Sequence, residues 1–116
     1  MQLNYTPHVI NLVEEGCPDV VDDVAPYIID TIPSSGSGRL TMTDLGNGVV
    51  EYGRPEGLPV RPASNTTYIV ALSVALQLLA LGWPSEALRV PQDDIRLTNG
   101  TRAGAARRLV QPRLAR

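Results

Sequence analysis

Residues 64–84 read SNTTYIVALSVALQLLALGWP. They lie inside a longer run, residues 62–85, that contains no charged side chain. How this stretch folds decides the architecture, because it holds the densest set of large aliphatic residues in the chain. Its spacing predicts one long helix over about 65–81. Ser64 or Asn65 is placed to cap it, Gly82 to end it and Pro84 to prevent its continuation. On such a helix Thr66, Ser73, Gln77, Ala80 and Pro84 share one thin polar face. Ile69, Val70, Leu72, Val74, Leu76, Leu78, Leu79 and Leu81 fill the others, the pattern of a buried central helix.

Length alone makes this run a membrane-span candidate, since Thr66 to Trp83 is 18 residues and a span needs about 20. The polar stripe and the flanking prolines argue against it, so no membrane partner is expected. A helix this apolar in a short, proline-rich chain has few neighbours to cover it. At ~25 cal/mol per Å² of apolar surface buried, it should seek another subunit. Ala71 and Ala75, four apart, would admit a second helix at close range. The expected partner interface is therefore Ala71, Leu72, Ala75, Leu76, Leu79 and Trp83.

On the N-terminal side, Gly46-Asn47-Gly48 separates two alternating stretches and predicts a β-hairpin over about 39–52. Ser34-Ser35-Gly36-Ser37-Gly38 reads as a flexible joint, and residues 53–63 as extended and irregular. Prolines 7, 18, 26 and 33 interrupt the first third. Thr6-Pro7 suits the start of a short helix that ends at Gly16, and Cys17-Pro18-Asp19 can restart one. Tyr27 to Ile32 fits a helical turn or a strand. Residues 1–33 are thus expected as an acidic arm with short helices, and 34–116 as hairpin, central helix and basic tail, within one domain. Beyond the helix, Ile95 to Leu97 is a candidate strand and Arg102 to Val110 a candidate last helix. The expected fold class is α+β: a small domain with one long buried helix, one hairpin and extended proline-rich arms.

Charge is polarised along the 116 residues, whose formal net charge is −2. Nine of the twelve acids precede residue 61, while no acid follows Asp94. Six arginines do follow it: Arg96, Arg102, Arg107, Arg108, Arg113 and Arg116. All ten basic residues are arginine. Codon bias in a GC-rich genome accounts for that, and so does selection for a bidentate, permanently charged fork. The six arginines form an expected site for an anionic partner, either nucleic acid or the acidic segment of this chain or a neighbour. No aromatic residue follows Trp83, so base stacking is not on offer there.

Residues able to carry chemistry are sparse. One cysteine and one histidine exclude a disulfide framework and a single-chain Cys/His zinc site. Cys17 and His8 match no cysteine-hydrolase pattern, and Cys17 reads as a buried inert thiol with His8 on the surface. Asp19, Asp22 and Asp23 supply too few convergent oxygens for a cation. No catalytic residue, metal or cofactor is expected, and no small-molecule substrate. The N-terminus lacks a secretory signal, which points to a cytoplasmic or virion location. The functional expectation is a non-enzymatic structural or assembly subunit of a larger complex, such as a capsid-associated or connector component of a bacterial virus. The alternative is a nucleic-acid-binding accessory protein that uses the C-terminal arginines.

Overall fold

A computed structural model describes residues 1–115. The chain is mostly β, which corrects the expected α+β class. Strands β1 (Gln2–Asn4), β2 (Ile10–Val13), β3 (Val20–Val21) and β4 (Ile28–Ile32) come first. Then follow β5 (Met42–Gly46), β6 (Val49–Tyr52), β7 (Thr67–Ile69), helix α1 (Leu72–Ala80), β8 (Leu88–Leu97) and β9 (Arg102–Val110). Seven strands form one sheet in the order β1-β7-β8-β9-β2-β4, with β3 on the far end of β8. Strands β5 and β6 form a separate two-stranded sheet.

The uncharged stretch is not one long helix. Its first part is β7, which lies parallel between β1 and β8. Thr67, Tyr68 and Ile69 are β-branched or aromatic, and they suit a pleated surface better than a helical one. A strand buried between parallel neighbours reads as a continuous apolar run, so no polar residue marks where it gives way to the helix. The backbone marks it instead. Ala71 is extended (φ −64, ψ 153), and α1 then runs for only nine residues. Its end falls where the sequence placed it, as Trp83 N–H donates to Leu78 O and Gly82 N–H to Leu79 O. That is the paired bonding of a Schellman motif. Strand β7, helix α1 and strand β8 together make a parallel crossover unit.

The extended arms are also corrected. Residues 1–33 contribute four strands of the sheet, and the short helices expected after Pro7 and Pro18 are β2 and β3. Strand β2 pairs antiparallel with β4 and parallel with β9, and β3 pairs with β8 at Arg96 and Leu97. At the other end of the chain, the expected helix over Arg102 to Val110 is β9. It pairs antiparallel with all of β8 from Val90 to Arg96. Asn99-Gly100 makes the turn, with Gly100 N–H on Leu97 O and Asn99 Oδ1 accepting from Thr101 N–H and Oγ1. The helix propensity of alanine and arginine gave way to this tertiary pairing.

The sheet curls into a nearly closed barrel, and Asn4 sits at the seam. Asn4 pairs with Ser34 just beyond β4, which brings the last strand back to the first. Its side chain is fully buried and fully bonded. Nδ2 donates to His8 O (2.8 Å) and Ile32 O (3.1 Å), and Oδ1 accepts from Thr6 N–H (2.9 Å) and Thr6 Oγ1 (2.6 Å). The segment 34–38 continues the seam and is not a free joint. Ser35 N–H donates to Asn4 O, and Gly38 N–H to Tyr5 O. Gly36 lies against the Tyr5 ring and Gly38 against Leu58, where a Cβ would collide. The glycines here permit close approach.

Two apolar clusters fill the interior. One joins α1 to the sheet through Tyr68, Val70, Val74, Leu78, Trp83 and Leu88. The Tyr68 and Trp83 rings meet edge to face at 5.3 Å, a favourable quadrupole arrangement. The other holds Val13, Cys17, Val21, Ile95 and Ala105.

Candidate interaction surface

The β5–β6 hairpin stands off the barrel. Its turn follows from Gly46, Asn47 and Gly48, all at positive φ (84, 54 and 77), which tight hairpins demand and which Gly and Asn tolerate. Its base is tied by reciprocal backbone bonds between Arg39 and Glu56 and by Gly53 N–H on Thr41 O. Every residue of both strands is exposed. Large apolar side chains are among them: Met42 (60%), Leu45 (57%), Val49 (52%), Val50 (43%) and Tyr52 (51%). The register pairs Met42 with Tyr52 and Asp44 with Val50, so these four side chains share one face. An isolated two-stranded hairpin is marginally stable in water, and contiguous exposed apolar surface marks interaction sites.

Helix α1 lies beside the hairpin, with Gln77 Nε2 donating to Tyr52 O (3.3 Å). The six residues expected at a partner interface divide between its two sides. Ala75 and Trp83 are buried in the chain's own core, and Leu79 packs against that core. Ala71 is exposed at the helix start, and Leu72 and Leu76 face solvent at 56% and 42%. Only the latter three remain available to a partner.

Leu72 stands between two open depressions. The larger, about 980 Å³, is bounded by the Thr6–Ile10 loop, the start of α1 and strands β8 and β9. The smaller, about 450 Å³, continues past Leu76 to Gln111–Arg113. Both share Val90 and Pro91, so they form one groove. Its walls are mainly apolar. His8, Asp94 and Arg102 edge one end and Arg113 the other.

Three of the six C-terminal arginines meet carboxylates within the chain. Arg107 binds Asp19 Oδ1 at 2.5 Å, joining β9 to the acidic N-terminal segment. Arg108 reaches Asp93 (2.9 Å) and Gln92 Oε1 (3.1 Å), and Arg102 lies 3.9 Å from Asp94. Arg96 and Arg113 are exposed and have no ion pair among the described residues. Arg116 lies outside the described residues. Arg107 and Arg108 are thus held by Asp19 and Asp93, and Arg102 lies only loosely against Asp94.

Cys17 is 3% exposed and its Sγ donates to Pro18 O at 3.4 Å, inside an apolar cluster. His8 is exposed, on the groove rim. No group of three or more His, Cys, Asp or Glu among the described residues is placed to hold a metal ion. No helix among them is long and apolar enough to cross a membrane.

No family model, no curated protein and no solved structure matches this chain. The apolar hairpin face was missed by the sequence reading, which assigned partner contact to the helix. The available signal was the presence of large aliphatics on both sides of the predicted turn, in strands too short to bury them on each other.

Proposed function

We propose that the protein is a non-enzymatic structural subunit that assembles with other protein chains, and that the β5–β6 hairpin is its docking element. The observation that carries this reading is the exposure of Met42, Val50 and Tyr52 on one face of a hairpin that stands outside the core. Apolar side chains held in that position gain free energy only when something covers them. The arms that suggested a virion component are strands of the barrel, so the reading rests on the hairpin instead. The nucleic-acid alternative is weakened because Arg107 and Arg108 already face carboxylates.

Sedimentation velocity over a range of protein concentrations tests the reading. Association that rises with concentration, and that Val50→Glu abolishes while the fold is kept, supports it. A monodisperse monomer at high concentration overturns it, as does association indifferent to Val50→Glu.

A further inference from the structure

We propose that the occupant of the groove beside α1 is the β5–β6 hairpin of a second copy of this chain. The inference rests on the assembly reading above and names the partner surface.

Three observations converge on it. First, the two surfaces are opposite in charge. The hairpin face that bears Met42, Val50 and Tyr52 carries Asp44 and no basic residue, while Glu51 lies on the other face. The groove rim carries Arg102 and Arg113 against a single acid, Asp94, with His8 beside them. Arg102 and Asp94 are separated by 3.9 Å with both side chains well exposed. A pair so loosely held is free to exchange partners at small cost.

Second, the shapes suit each other. The groove is open along its length and apolar on its walls, which fits an extended segment better than an enclosed small molecule. The hairpin presents Met42, Val50 and Tyr52 on one face, and a five-residue strand extends roughly 17 Å. Third, each surface is uncovered in the single chain. The hairpin strands are exposed throughout, while Leu72 and Val9 on the groove walls are 56% and 46% exposed. The Gln77–Tyr52 bond ties the hairpin base to the middle of α1.

Donor and acceptor are different surfaces, so the contact is heterologous. Repeated, it closes into a ring or extends as a filament. A symmetric contact, such as hairpin against hairpin, would stop at a dimer.

Complementation between two variants decides it. Leu72→Glu places a charge in the groove and leaves the hairpin intact. Val50→Glu does the reverse. Both sites are exposed, and Trp83 fluorescence confirms each fold. Should Leu72→Glu disturb α1, Val9→Glu on the opposite wall replaces it. In sedimentation velocity each variant alone is expected to associate at least tenfold more weakly than the natural chain. An equimolar mixture is expected to give a discrete one-to-one dimer, because only one hairpin and one groove remain. If the groove variant associates like the natural chain, or the mixture stays monomeric, this proposal falls while hairpin-dependent assembly stands. A natural chain that is itself monomeric overturns both.

Discussion

Asn4 is the residue on which barrel closure turns. It is wholly buried, and its amide satisfies four polar groups from residues 6, 8 and 32. Asn4→Leu fills the space but removes the partner of Thr6 N–H and a donor to Ile32 O, while Thr6 Oγ1 and His8 O keep their bond to each other, and a buried unsatisfied group costs about 1–3 kcal/mol. We expect a loss of about 3 kcal/mol, measured by urea unfolding followed through Trp83, the sole tryptophan. A loss below about 0.5 kcal/mol would show that the seam is dispensable. Gly57 is the second such residue. Its φ is +84, and a Cβ there would overlap the Ser37 carbonyl oxygen, which is backbone and cannot swing aside. Gly57→Ala should therefore cost more than about 2 kcal/mol, whereas the same change at Gly46, with open space around it, carries only the strain of positive φ. Neither role was legible in the sequence. Asn4 looks like any polar residue near a terminus, and Gly57 like one more glycine in an irregular loop, because their importance comes from segments that only the fold brings beside them.

The elements differ in how much they depend on distant partners, and that decides which could be read locally. The β5–β6 hairpin carries its own instructions: a Gly-Asn-Gly turn and two alternating strands joined across it. Because it buries nothing, replacing residues 42–52 by a short Gly-Ser link should leave the barrel's thermal midpoint within about 5 °C, since a shift of that size corresponds to only ~1 kcal/mol. A larger drop in a calorimetric scan would mean the hairpin supports the core. The end of α1 was equally local, set by Gly82 and Pro84. Its start was not, because Tyr68-Ile69-Val70 and Leu72 to Leu81 are alike in hydropathy and only pairing with β1 and β8 makes the first of them a strand. Strand β9 was read as a helix although Asn99-Gly100 carries a turn signal like that of the first hairpin. Its partner strand includes Pro91 and the charged Asp93-Asp94, which hid the pairing. Proline is tolerated there because β7 pairs with β8 only at Leu88 and Arg89, so no neighbour needs the missing N–H. The register shifts once, between Asp94 and Arg96 opposite Gly104, and Asp93 and Gly104 are both at positive φ.

At the scale of the molecule, the two halves of the chain are interleaved. Gln2 pairs with Thr67, Asn11 with Ala105 and Val20 with Arg96, so strands from the first 33 residues lie beside strands from the last 50. The charge asymmetry seen in sequence follows this seam at one point, where Asp19 meets Arg107. That pair is exposed on the aspartate side, and Asp19→Asn should cost less than about 1 kcal/mol; apolar contact carries the junction instead. Val13, Cys17 and Val21 from the N-terminal half pack on Ile95 and Ala105 from the C-terminal half. Removing residues 1–33 would expose that cluster, unpair one side of β7 and β9, and leave neither half with a closed core. The fragment 34–116 should therefore show no cooperative thermal transition by circular dichroism, while the full chain unfolds in a single step. Closing so many long loops before any core exists should also place refolding of the full chain in the millisecond-to-second range. A fragment that melts cooperatively would show that β7, α1, β8 and β9 stand alone, and that the N-terminal strands are an addition to a finished domain.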